Sequence, residues 1–446
     1  MPNDISFAKK SGNNSNFTAI VLAAGKGVRM KSELPKVLHT LSGKPLIGYC
    51  LEQLKSIKNI KQIIVVTGYG AQSVETYVKN NFKGVEFARQ KKLLGTADAV
   101  KCARAEVKYE NVLILCADAP LITAETLSSF MASYESEKLT ASIITAYIDK
   151  KNDLGRIIRD TYGAIKSICE VSDLRKHINL KISLKEVNSG IYAFNRRTLF
   201  ENLKYIKRNE IKGEYYFTDT IEILYNNGIK IGSYVLSDSD EILGINSPRE
   251  LSLAERIINK RVVEYFMASG VRIMDPQSTF IAENVKIGKN TLIYPFTFIE
   301  RNVIIGVRCE IGPFAHLRQG VCISDDTAIG NFTEISRSKV GKNTRIKQFS
   351  YIGDATIGDN VNIGAGTVVA NYNGKTKNKT IIEKGASIGS DSVLVAPVKI
   401  GKSAITGAGS VVLKNVKGGE TVVGVPAQVL KKNRKLEGRK TRDEGR

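Results

Sequence analysis

Ile287, Ile293, Ile299, Ile305, Ile311, Leu317, Ile323, Ile329 and Ile335 stand six residues apart without exception. The register slips by one residue at Val340, runs on through Ile346 and Ile352, and slips again at Ile357 before Ile363. It returns as Ile382, Ile388, Leu394 and Ile400. An α-helix repeats its apolar positions every three to four residues and a half-buried strand every two, so neither produces this spacing. A period of six belongs to a left-handed parallel β-helix: three short faces per coil, one aliphatic side chain per hexapeptide pointing inward. Glycine follows many of these positions, as in Ile287-Gly288, Ile305-Gly306, Ile329-Gly330 and Ile357-Gly358. The break between Val369 and Ile382, containing Asn371-Tyr372-Asn373-Gly374, is expected to be a loop thrown out of the prism.

The first half follows another rule. Apolar runs at Phe17 to Ala24, Gln62 to Gly68 and Val112 to Asp118 read as buried strands. Amphipathic stretches such as Leu46 to Ile57 and Ala71 to Asn80 lie between them. This alternation predicts a Rossmann-like α/β domain with a mostly parallel sheet covered by helices. In such sheets ligands sit at the carboxyl ends of the strands, where Gly25, Gly68 and Asp118 would gather. Ser247 to Gly270 reads as one amphipathic helix with Leu251, Ala254, Ile257, Ile258, Val262 and Phe266 on a stripe. The expected organisation is a disordered tail (1–16), the α/β domain (17–246), a linker helix (247–270), the β-helix (271–430) and a basic tail (431–446).

The chemistry in the first half starts at Leu22-Ala23-Ala24-Gly25-Lys26-Gly27-Val28-Arg29-Met30, followed by Leu34-Pro35-Lys36. Glycines without a Cβ let backbone N–H groups approach an anion, and Arg29 and Lys36 bring positive charge. Together these make a phosphate cradle. Two familiar phosphate motifs fail: no Gly-Lys-Ser/Thr completes a Walker loop, and Met30 stands where a dinucleotide fingerprint needs Gly. Asp118, an acid closing an apolar strand before Ala119-Pro120-Leu121, either caps the next helix or ligates Mg²⁺, which prefers hard oxygens. The six cysteines include no CxxC pair, and the three histidines, His39, His177 and His316, are scattered. A reduced cytoplasmic protein without a zinc site is expected. No stretch has the apolar length of a membrane span, and Met1 to Asn16 lack the core of a secretion signal. A net charge of +22 fits nucleic acid, an acidic surface or anionic substrates alike. Apart from the tail from Lys431 to Arg446 the basic residues are spread along the chain, so the charge alone does not choose among these, and no nucleic-acid partner is expected.

The loop Leu-x-x-Gly-x-Gly-x-Arg-Met with its following Pro-Lys resembles the signature of sugar-1-phosphate nucleotidylyltransferases. Its continuation to His39-Thr40-Leu41 is similar to one branch, the bifunctional N-acetylglucosamine-1-phosphate uridylyltransferase/glucosamine-1-phosphate acetyltransferase family, with Val28 replacing the usual Thr. The resemblance runs from Asn16 to about Val429. It implies transfer of UMP from UTP to N-acetylglucosamine 1-phosphate, with Arg29 and Lys36 catalytic and Leu22, Ala24 and Gly25 in the nucleotide loop. It further implies a Mg²⁺ site at Asp118 and Asn246, uracil reading by Gln90, Gly95 and Thr96, and a sugar pocket at Gly155, Glu170 and Asn188. Gly213 to Asp219 is a further hallmark. Cys116-Ala117 departs from the family's Tyr-Gly or Cys-Gly, so the Ala117 methyl is expected to crowd the nucleotide.

In the second half the resemblance implies a homotrimer with acyltransferase sites between subunits. Arg318, Tyr351, Asn362, Asn371, Tyr372 and Lys377 match sugar-phosphate positions, and Ala365, Ser390 and Ala408 match acetyl-CoA contacts. Three places differ: the family's catalytic His is Gln348, a substrate-binding Lys is Ser336, and an Arg that helps acetyl-CoA is Gly424. A glucosamine nitrogen needs a base that titrates near neutral pH, and Gln does not titrate. Acetyl transfer is therefore expected only if the missing His is compensated, with His316 as a candidate. A different acceptor, or a prism serving as a trimerising scaffold for transfer to another sugar 1-phosphate, stays open.

Overall fold

The computed structural model describes residues 15–149, 152–171, 185–209 and 213–430; most of the expected N-terminal tail, the basic C-terminal tail and His177 lie outside them. Two compact units, Met1–Arg256 and Ile257–Arg446, divide the chain. The division falls within the helix Pro248–Ala268.

The first unit is built on a nine-stranded sheet. Its strands are β1 (Phe17–Ala23), β2 (Ile60–Thr67), β3 (Val85–Arg89), β4 (Asn111–Cys116), β5 (Ala141–Tyr147), β6 (Arg156–Arg159), β7 (Ile165–Cys169), β8 (Glu186–Asn195) and β9 (Ile231–Val235). The order across the sheet is β9-β5-β8-β4-β1-β2-β3, with the β6–β7 hairpin joined through β8. Pairing is parallel around β1 and antiparallel where β8 meets β4 and β5. The central strands are apolar on both faces because helices cover both. On one side Ile47, Leu51 and Leu54 of α1 (Leu46–Ser56) pack with Ala19, Val21, Val65, Leu113 and Leu115. On the other, Val100, Phe200 and Ile221 pack with Ile20, Ile64, Val66, Val112 and Ile114. This alternation is the period-2 direction of strand side chains.

In the second unit, strands of two or three residues stack into three sheets of ten, eight and seven strands, each coil laying one strand on each face. Successive coils pair in parallel, as Glu310–Ile311 with Ala328–Ile329 and then Arg345–Ile346. The hexad aliphatics form one continuous buried core, although Ile287 at its lower end is only partly covered. Two positions before many of them sits a buried Thr or Ser. Thr291, Thr327 and Thr344 donate to the carbonyls of Gly306, Gly341 and Gly358 at 2.8, 3.0 and 2.9 Å, which satisfies a buried polar group at the turn. The glycine after the aliphatic residue has a steric reason: a Cβ at Gly330 would lie 2.7 Å from the Gln348 nitrogen of the next coil. The expected excursion is present. Residues 371–379 leave the prism between Val368–Ala370 and Thr380–Ile382, pinned by a Tyr372–Lys377 bridge.

One corner was not foreseen. Its left-handed position is held by Phe296, Phe314, Phe332 and Phe349 rather than by Asn, Asp or Gly. Their rings stack at centroid spacings of 4.7, 4.8 and 5.3 Å. Contact between coils offsets the backbone cost of a bulky residue in that conformation.

Candidate functional site

The carboxyl ends of β1, β2 and β4 are tied together. The Ala24 carbonyl accepts from the Tyr69 N–H at 3.0 Å, and the Leu22 carbonyl accepts from the Ala117 N–H at 3.0 Å. Beyond β1, Gly25 faces open space, with no heavy atom within 4 Å of where its Cβ would be. Gly27 (φ +63°) turns the loop back, and a Cβ there would sit 2.6 Å from the Lys36 Cβ. Lys36 is thereby directed inward: its Nζ donates to the Asp118 carboxylate and, at 2.9 Å, to Asn246 Oδ1. Both Lys36 and Asp118 are largely shielded, with side-chain exposures of 13 % and 18 %. The Asp118 carbonyl accepts from the Ile245 N–H at 2.8 Å, which fixes Asn246 beside it.

These contacts bear on the capping reading of Asp118. The following helix, Ala124–Ser136, is capped by Thr123, whose hydroxyl accepts from the Thr126 N–H at 3.2 Å. Asp118 is free of that duty. The oxygens of Asp118 and Asn246 converge on one point held by an ammonium, and a carboxylate with an amide oxygen is a donor set that suits Mg²⁺ completed by substrate phosphates. Arg29 does not join this cluster: it is exposed and pairs with Asp153 at 3.6 Å. The Ala117 methyl does not face the site either, being fully buried in the core, so the expected crowding is not found. Burial and the neighbouring Asp118 push the Cys116 thiol up to about 12 against the pull of Lys36, leaving it no nucleophile at neutral pH.

Directly after β3, the Gln90 amide donates to the Gly95 carbonyl at 3.0 Å and to Asp98 Oδ2 at 2.9 Å. The Gly95-Thr96 turn is clasped by the Gly213 to Asp219 segment. Tyr215 N donates to the Leu94 carbonyl at 2.7 Å, Ala97 N donates to the Tyr215 carbonyl at 3.0 Å, and Phe217 N donates to Thr96 Oγ1 at 2.9 Å. In the expected sugar pocket the Asn188 N–H donates to the Gly155 carbonyl at 2.9 Å, its amide donates to the Tyr192 hydroxyl at 2.7 Å, and Thr218 donates to Glu170 at 3.0 Å.

In the β-helix, Gln348, Ala365, Ser390 and Ala408 fall on one corner column. The carbonyls of Gln348, Ala365 and Ser390 accept from the N–H groups of Gly366, Asp391 and Gly409 at 2.9, 2.7 and 2.8 Å. A Cβ at Gly389 would touch Ala408 N at 2.5 Å. Gln348 is exposed, and its side chain makes no hydrogen bond among the described residues. A second group gathers around Tyr351. Arg337 forks onto Asp354 at 2.7 and 2.9 Å and donates to Ser336 Oγ at 2.7 Å, while Asn371 donates to the same carboxylate. Hydrogen bonds from Arg337, reinforced by Asn371 and the Lys377 charge, hold Asp354 below the usual carboxylate range. Arg337 belongs to no motif in the sequence; the structure sets its guanidinium against the Ser336 hydroxyl.

Other expected residues stand apart. Arg318 pairs with Glu334 at 2.6 Å, and Asn362 sits on the neighbouring face. His316 lies two strands from Tyr351, with Glu334 between them, and binds Glu300 at 2.9 Å. Strands are about 4.8 Å apart, so His316 is not a base beside Tyr351.

Comparison with known proteins matches residues 19–178 to a MobA-like NTP transferase domain, 275–374 to the GMPPB C-terminal domain and 379–414 to the hexapeptide repeat of succinyl-transferase. The chain is 38% identical over 421 residues to the bifunctional protein GlmU of Geobacillus sp. (strain WCH70), covering 86% of this chain and 90% of that one. The chain belongs to the GlmU family. The GlmU of Heliobacterium modesticaldum (strain ATCC 51547 / Ice1) is 39% identical over 422 residues, covering 87% of this chain and 91% of its own. The likeness to GlmU thus spans both units. Among the described residues, no helix is long and apolar enough to cross a membrane.

Proposed function

We propose that the first unit transfers UMP from UTP to N-acetylglucosamine 1-phosphate, giving UDP-N-acetylglucosamine and pyrophosphate. The observation that carries this reading is the convergence of Lys36, Asp118 and Asn246 beside the open Gly25 turn. A sugar-phosphate oxygen attacks the α-phosphorus of UTP in line, the bond to the bridging oxygen breaks, and pyrophosphate leaves with its electron pair. The substrate already carries the nucleophilic charge, so the protein supplies position and charge neutralisation rather than a covalent nucleophile. Lys36 neutralises charge at the α-phosphate, the Leu22 to Gly25 turn offers backbone N–H groups, and exposed Arg29 swings from Asp153 onto the triphosphate. Asp118 and Asn246 would hold Mg²⁺, which would supply charge stabilisation for the departing pyrophosphate. Gln90, Gly95 and Thr96 hold the uracil; Gly155, Glu170 and Asn188 hold the sugar.

The second unit is a cytoplasmic homotrimer's prism with an acetyl-CoA edge at Ala365, Ser390 and Ala408 and an acceptor pocket at Tyr351, Asn371, Tyr372 and Lys377, joined by Arg318 and Asn362. Without an imidazole at Gln348 it acetylates glucosamine 1-phosphate slowly. The test runs UTP-dependent pyrophosphate release with N-acetylglucosamine 1-phosphate beside acetyl-CoA-dependent thiol release with glucosamine 1-phosphate. Fast pyrophosphate and slow thiol release are expected. Absence of pyrophosphate refutes the first assignment, and rapid thiol release refutes the role given to Gln348.

A further inference from the structure

From the contacts of Gln90 we infer that Asp98 is a positioning residue that makes the nucleotide pocket select uracil over cytosine, an inference that rests on the uridylyl-transfer reading. A side-chain amide can be turned either way, and its partners decide which end is which. Both partners of the Gln90 amide, the Gly95 carbonyl at 3.0 Å and the Asp98 carboxylate at 2.9 Å, are acceptors. They fix the NH₂ between them. The main chain of Gln90 is also held, its N–H donating to the Thr67 carbonyl at 2.8 Å, and the residue is 95 % covered. The remaining atom, Oε1, takes no hydrogen bond from the described residues and is not sealed inside the protein. Gln90 therefore presents only an acceptor to a ligand. Gly95, whose carbonyl holds the Gln90 amide, also has an N–H that takes no partner among the described residues, a donor.

An acceptor next to a donor is the complement of the uracil edge, where N3–H donates and O4 accepts. Cytosine offers the inverse, an N3 acceptor and an N4 donor. Its N3 lone pair meets an oxygen lone pair at Gln90, whichever neighbouring group the Gly95 N–H takes. Turning the Gln90 amide over would suit cytosine, but it would set Oε1 against both the Gly95 carbonyl and the Asp98 carboxylate. Asp98 supplies the charged half of that block, and a charged acceptor holds an amide more firmly than a neutral one. A site built on such complementarity discriminates by leaving the wrong ligand's polar groups unpaired.

The experiment measures pyrophosphate release from UTP and CTP with N-acetylglucosamine 1-phosphate for the full-length wild type, Asp98→Ala and Asp98→Asn. In Asp98→Ala the ratio of kcat/KM for UTP to that for CTP should fall at least about tenfold, mostly through a rise with CTP. Asp98→Asn, the same size and still able to accept, should fall between. Equal losses with both nucleotides and an unchanged ratio would mean that Asp98 only supports the local fold, and would overturn the inference alone. No pyrophosphate from wild-type protein with either nucleotide would overturn the uridylyl-transfer reading and this inference with it.

Discussion

Replacing Gln348 by histidine should raise acetyl-CoA-dependent thiol release with glucosamine 1-phosphate by about a hundred- to ten-thousand-fold, the worth of a positioned general base. The structure makes this substitution nearly free of side effects. The Gln348 side chain is exposed and makes no hydrogen bond among the described residues, so the change in stability should stay within about 0.5 kcal/mol. The backbone that aims it is fixed independently of the side chain. The coil above is tied to it by the Gly366 N–H on the Gln348 carbonyl at 2.9 Å, and the coil below by the Phe349 N–H on the Asn331 carbonyl at 3.0 Å. An imidazole there would stand on the Ala365–Ser390 column and three residues before Tyr351. The neutral ring is the active form, so the new activity should climb with pH through about 6.5 and then level off, an inflection that the wild type lacks. Thiol release unchanged within twofold, in protein that still releases pyrophosphate at the wild-type rate, would refute the reasoning. The pocket around Tyr351 and Arg337 would then serve some acceptor other than an amino sugar.

Lys36→Ala should cut UTP-dependent pyrophosphate release by about a hundred- to a thousand-fold, as loss of one preorganised charge does, and leave thiol release untouched. Ile346→Ala removes a side chain that is 1% exposed at the centre of the prism; it should cost about 2–5 kcal/mol, read as a lower urea midpoint by circular dichroism. Arg159→Met removes a fork on Glu186 at 2.7 and 2.8 Å and should destabilise the first unit by on the order of 2 kcal/mol, between the exposed and buried cases. Burial alone would lift the Glu186 carboxyl, but Arg159 holds it below its ordinary value of 4.5. A carboxyl lowered by folding contributes stability above its unfolded pKa and loses it as pH falls through the folded one. The gap in Tm between wild type and Arg159→Met should therefore close as pH drops below about 4.5, and a gap independent of pH would count against the pair.

What was legible in the sequence depended on whether a residue acts for itself or through another. The hexad aliphatics announce a β-helix because each meets the same requirement, a side chain pointed at the prism axis, and a requirement repeated every six residues leaves a period. The strands of the first unit and the acid at Asp118 were visible for a similar reason: an apolar run and a misplaced carboxylate are local facts. The phenylalanine corner was not visible, because Phe296, Phe314, Phe332 and Phe349 violate the local rule for left-handed positions and are favoured only by stacking across coils. Arg29 and Lys36 looked equivalent as loop cations, yet only Lys36 turns inward, a choice set by the Gly27 turn and by partners far along the chain. Arg337 was not legible because its guanidinium reaches Ser336 from the next residue, through a backbone turn of φ +48°. Asp98 was hidden for the deepest reason. Its side chain is tied to the site through its hydrogen bond with the Gln90 amide. A residue whose work is to orient another carries no motif of its own, so pattern locates the groups that meet a substrate, and geometry is needed to find the ones that tell them which way to point.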